Sequence, residues 1–144
     1  MATAASSKAR GGMGSKAVAV MAWCIGVWTT HLFIKILTRD PITETAPEWT
    51  LLAAIVLQAI LTAGESPIWR GRGQWWHIIV LALDSVLNVG GFFVYVMRLD
   101  QTDSWAAFNK GLSMTGGLDP LAALIVSLVL GVLLAATPEF LWRQ

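Results

Sequence analysis

The residue in this sequence best placed to do chemistry is an aspartate in the middle of an apolar run. Asp84 lies inside the stretch 75–97, and Asn88, Gly91 and Tyr95 follow it at i+4, i+7 and i+11. If the stretch is a helix, all four share one stripe. An ionised side chain at the centre of a bilayer costs about 2.5 to 3.5 kcal/mol on insertion scales, so its presence needs a reason. One reason is structural: a neutral Asp84 donates to Gln58 or to a backbone carbonyl and fixes helix register. The other is functional: Asp84 lines a watered route and binds or relays a cation or proton. Measured by helix rise from the span centres, Gln58 lies at nearly the depth of Asp84, with Asn88, Ser127 and His31 slightly further along. The expected picture is a polar layer across the midplane, with Asp84 as a lone acid lacking a second carboxylate at its depth.

His31 shares a stripe with Cys24, Trp28 and Lys35. A histidine in a span can ligate a haem or chlorophyll-type pigment. The second histidine, His77, falls near the opposite face, about 20 Å away in depth by helix rise, so the two cannot clasp one haem within a protomer. His31 is therefore read as a hydrogen-bonding residue and Cys24 as an ordinary buried thiol. No cofactor and no metal is implied. The chain has no zinc-type Cys/His spacing, no phosphate-binding glycine loop, no Gly-x-Ser-x-Gly and no His-Glu-x-x-His. Glu65 and Glu139 read as exposed acids that form solvated ion pairs with nearby arginines. A catalytic site is not expected.

These residues are carried by a chain of 144 residues that is 56% hydrophobic, with mean hydropathy +0.63 and only 13% charged residues. Soluble domains average about 25% charged. A net charge of +1 and a single cysteine exclude intrinsic disorder, a basic nucleic-acid surface and a disulfide scaffold. Four stretches reach spanning length, 16–37, 48–64, 75–97 and 119–137. The second reaches across if 66–69 continue into the interface. The fold class is thus all-α, a polytopic integral membrane protein with four transmembrane helices in a bundle (16–144) behind a small, basic, disordered tail (1–15).

Basic residues give an orientation. Lys8, Arg10, Lys16, Arg70, Arg72 and Arg143 fall on the side of the N-terminus, against Lys35, Arg39, Arg98 and Lys110 on the other. This bias places both termini in the cytoplasm. Trp49, Trp69, Trp75, Trp76 and Trp142 lie at span ends, where indole anchors at headgroup level, joined by Arg70, Arg72 and Arg143. Thr45-Ala46-Pro47-Glu48 reads as a capping box opening the second helix, and Asp119-Pro120 as a cap opening the fourth. In the longest connection, Trp105, Phe108 and Leu112 are spaced as one face of a short interfacial helix.

The second and fourth spans end alike, in a Glu and a Pro followed by Trp-Arg. This suggests duplicated hairpins, although convergence on a common span end explains it as well. The fourth span carries Ala123, Ser127, Gly131 and Ala135 at four-residue spacing. Such a run admits another helix closely, from this chain or another subunit. The expected function is that of a non-enzymatic membrane subunit acting by assembly, with copies of itself or with other membrane subunits. The alternative is a homo-oligomeric pore or small-ion pathway lined by the Asp84/Asn88 stripe. Its partners are the lipid bilayer and other membrane polypeptides, and not nucleic acid.

Overall fold

The computed structural model describes the backbone of residues 3–40, 45–97 and 120–142, with side chains from residue 12 onward. The described residues form four helices and no strand: α1 (Thr3–Leu37), α2 (Thr50–Trp69), α3 (Trp75–Val96) and α4 (Pro120–Trp142). All four are long and apolar enough to cross a membrane, α1 by its Gly12–Leu37 portion. The backbone of α1 is helical from Thr3, within the stretch expected as a tail. The expected interfacial helix, together with Asp119 and Arg143, lies outside the described residues.

Helix ends depart from the sequence expectation in two ways. The Thr45–Glu48 capping box does not form: α2 begins at Thr50, after Trp49, without a side-chain cap. The Thr50 hydroxyl instead donates to the Pro47 carbonyl at 3.0 Å. Both C-terminal ends run past the expected 64 and 137, to Trp69 and Trp142, with Pro67 inside α2 and Pro138 inside α4. Near a C-terminus a proline removes one hydrogen bond yet leaves little helix downstream to disrupt. What ends α2 is Gly71, at φ +66. Its N–H donates to the Ile68 carbonyl (3.0 Å) and that of Arg72 to the Pro67 carbonyl (3.0 Å). These are the two bonds of a Schellman closure, which needs a left-handed residue where glycine stands. The chain then reverses into α3, where the Gln74 N–H donates to His77 Nδ1 at 2.8 Å.

Helix α3 contacts each of the others, and α1 likewise touches all three. Small residues set the closest approaches. On α4 the Ala123, Ser127, Gly131 and Ala135 stripe is buried. A Cβ built on Gly131 would lie 2.5 Å from the Val89 nitrogen and 2.7 Å from its Cα, so this stripe seats α4 on the α3 backbone of the same chain. A Cβ on Gly91 would overlap the Thr29 backbone, 2.6 Å from its Cα. Here α3 lies directly on α1. Dispersion between closely packed backbones holds such contacts without large side chains. The outward faces are lined by exposed aliphatics such as Leu52, Ile60, Ile78, Val86, Leu128 and Leu133. Cys24 is also exposed, correcting its expected burial, since the buried face of α1 runs through Ala22, Gly26, Thr29 and Thr30.

Candidate functional site

Where α1, α2 and α3 meet, the interior is polar. Each helix turns a periodic stripe inward: Ala54, Gln58, Leu61 and Glu65 from α2, and His77, Asp84, Asn88 and Gly91 from α3. From α1 come Thr29 and Thr30, both wholly buried. Gln58 Nε2 donates to Asp84 Oδ1 and to Thr30 Oγ1, the latter at 2.9 Å. Asn88 Nδ2 donates to Asp84 Oδ1 at 3.0 Å and to the Asp84 carbonyl at 2.9 Å. Its own amide oxygen accepts from Thr29 Oγ1 at 2.6 Å. Gly26 gives this layer its room, with a Cβ there meeting Gln58 Oε1 at 3.4 Å and Asn88 Oδ1 at 3.5 Å. Two amides thus converge on one carboxyl oxygen, and three helices are tied through it.

The residue that the sequence expectation misplaces is Glu65. It is not an exposed acid: it is 1% exposed, against 3% for Asp84, and its carboxyl is in hydrogen-bond and electrostatic contact with that of Asp84. Asp84 is therefore no lone acid. Two carboxyl groups in such contact can share a hydrogen bond only when one of them carries a proton. Glu65 Oε1 is buried with no hydrogen-bond partner. A third acid, half-buried Glu139 on α4, acts electrostatically on Glu65. The ends of α2 and α4 are held together beside it by an edge-on contact of Trp69 and Phe140, ring centroids 6.2 Å apart.

The other expected residues divide. Asp84, Asn88 and Gln58 meet in one network. His31 and Ser127 do not join it: His31 is half-buried with Nδ1 unpartnered, and Ser127 is fully buried with Oγ unpartnered. Tyr95, expected on the Asp84 stripe, is exposed and packs edge-on against Trp28 at 4.9 Å, and the buried residue at that end of α3 is Val94. Among the anchors, Trp49, Trp75, Trp76 and Trp142 are exposed, as are Arg70 and Arg72, while Trp69 is half-buried with Nε1 unpartnered. His77 is buried and accepts a cap bond, a role the sequence reading did not assign. Among the described residues no group of three His, Cys, Asp or Glu is placed to hold a metal ion.

Comparison with family models, curated proteins and solved structures finds no match for this chain.

Proposed function

We propose that this chain is a four-helix transmembrane bundle that takes up and releases protons at the buried Asp84–Glu65 pair. The observation that carries the reading is two buried carboxyl groups in mutual contact, with no basic side chain acting on either among the described residues and one oxygen of Glu65 without a hydrogen-bond partner. A purely structural polar core is expected to satisfy every buried acceptor. Acids inside spans that face a protein interior are the usual elements of proton and ion routes. The polar layer of Gln58, Asn88, Thr29 and Thr30 then holds Asp84 in place, leaving Glu65 as the group that exchanges. With the bias of Lys and Arg, both termini face the cytoplasm, and the exposed tryptophans sit at headgroup level.

The test is infrared spectroscopy of the full chain in lipid bilayers. A protonated-carboxyl C=O band that Glu65→Gln or Asp84→Asn removes, and that shifts on transfer to D2O, is the expected result. A spectrum with no such band, or a band that neither substitution alters, contradicts the reading.

A second reading rests on the closed part of the network. Thr29, Thr30, Gln58 and Asn88 satisfy one another and Asp84 across three helices, which is what a register lock in an assembly subunit requires. In that case the protein works by assembling, with copies of itself or in a larger membrane complex. Asp84→Asn then leaves every property of the assembly intact.

A further inference from the structure

The four helices have two ends that differ in how they close around the carboxyl pair. At one end, formed by the early part of α1 and the last turns of α2 and α4, lies an open cleft of about 290 Å³. Its walls are Ala19, Val20 and Trp23 of α1, Thr62 of α2, and Pro138, Glu139 and Trp142 of α4. Thr62 is one turn from Glu65 on α2, and Glu139 is the acid that acts on Glu65 from α4. At the rim the Lys16 ammonium lies over the Trp142 ring, 5.8 Å from its centroid.

The other end is sealed. Beyond Asp84 the Asn88 side chain is bonded to Thr29, and α3 then meets α1 backbone to backbone at Gly91 and Thr29. The Phe33 ring lies on Gly90 so closely that a Cβ there would sit 2.6 Å from Cε2. Among the described residues the buried polar groups further along do not continue the network: Ser127 Oγ and His31 Nδ1 have no hydrogen-bond partner, and the Thr50 hydroxyl is bonded to the Pro47 carbonyl. Close-packed backbone has no space for a water file.

We infer that the carboxyl pair communicates with water at one end only, through the cleft between α1, α2 and α4, and that Glu139 is its entry group. This rests on the proton-exchange reading above. Three features converge on it: the cleft reaches Glu139, Glu139 acts on Glu65, and Glu65 Oε1 is buried without a partner. Among the described residues the titratable and charged groups on the elements packed against Glu65 are Asp84 and the buried His77 from α3 and Glu139 from α4, with Lys16 of α1 at the rim of the cleft. An acid at the mouth of a low-dielectric cleft concentrates hydronium ions there. A proton delivered by water at the mouth passes to Glu65, and in exchange the pair returns one by the same route. No net charge crosses to the sealed side.

The experiment follows hydrogen–deuterium exchange of the carboxyl band in the full chain in bilayers after rapid transfer to D2O. Two substitutions act on the entrance independently: Glu139→Gln removes the charge, and Thr62→Trp fills the cleft. The expected result is a band of unchanged amplitude whose exchange slows at least about tenfold in each variant, the lower end of what focused charge contributes to local ion concentration. Unchanged amplitude and helical circular dichroism show that the fold and the pair are intact. A band that exchanges at the wild-type rate in both variants overturns the entrance while leaving the carboxyl pair standing. Absence of the band in the unmodified chain overturns the proton-exchange reading, and the entrance with it.

Discussion

Replacing Gly91 by alanine tests the tightest joint of the structure. A Cβ at this position would stand 2.6 Å from the Cα of Thr29 and overlap its carbonyl group, whereas ordinary contact begins near 3.4 Å. The obstruction is backbone, so no rotamer change relieves it, and α1 must move from α3 by at least about 0.8 Å. Overpacking of this kind typically costs about 1 to 3 kcal/mol. The movement also stretches the 2.6 Å bond from Thr29 to Asn88, and an interhelical hydrogen bond in a membrane protein averages about 0.6 kcal/mol. The added methyl recovers up to about 1 kcal/mol of helix propensity. A net loss of about 1 to 3 kcal/mol is expected. Gly26→Ala is the internal control: its Cβ meets only side-chain atoms, at 3.4 Å or more, and helix propensity makes it neutral or mildly stabilising. Unfolding titrations in mixed micelles, followed by circular dichroism, give both values on one scale. Equal midpoints for Gly91→Ala and Gly26→Ala would refute the backbone contact between α1 and α3.

Further outcomes follow from the same geometry. Gly131→Leu drives a side chain into the Val89 backbone and is expected to destabilise the chain by at least about 1 to 3 kcal/mol in the same titration; a wild-type midpoint would count against the seating of α4 on α3. Asp84→Asn keeps an oxygen to accept from Gln58 and Asn88 and should shift stability by less than about 1 kcal/mol, whereas Asp84→Leu strands two amide donors and should cost about 1 to 3 kcal/mol. Glu65→Met removes a buried group with an unsatisfied oxygen, so stability is expected to hold or rise while the exchanging carboxyl band is lost; destabilisation beyond about 2 kcal/mol would mark the pair as structural. A spin label on Cys24, exposed on α1, should show high oxygen and low water-soluble nickel accessibility in power-saturation measurements, and the opposite ratio would remove this face of α1 from the lipid.

The helices themselves were legible in the sequence because long apolar runs have few alternatives; the buried small-residue stripe of α4 and the pair Asp84 and Asn88 have the spacing read from the sequence, and Gln58 was placed beside Asp84 by depth along its helix. What escaped was the second acid. Glu65 begins a Glu-Ser-Pro triplet at the point where hydropathy falls, so the span seemed to close at Gly64. Helix period carried the missing signal: Ala54, Gln58, Leu61 and Glu65 recur at i, i+4, i+7 and i+11, the spacing that picked out the Asp84 stripe. Thr29 and Thr30 left no trace because threonine is nearly neutral on hydropathy scales and bonds its own helix, as Thr29 does to the Gly26 carbonyl at 3.0 Å. The expected placement of His31 and Ser127 in the polar layer failed for another reason. Depth along a helix was estimated, but direction around it was not, and neither side chain reaches the amides that hold Asp84.

The burial of Glu65 beside Asp84 is the claim on which the functional reading turns, and carbodiimide mapping by mass spectrometry addresses it directly. A lipophilic carbodiimide adds to protonated carboxyls in apolar surroundings, and a water-soluble one with an amine nucleophile modifies acids in contact with solvent. In the full chain in bilayers, Glu65 should take the lipophilic reagent and resist the water-soluble one, while exposed Glu48 does the reverse, and Glu65→Gln should remove the lipophilic adduct. Modification of Glu65 and Glu48 at equal rates by the water-soluble reagent would contradict the buried carboxyl pair.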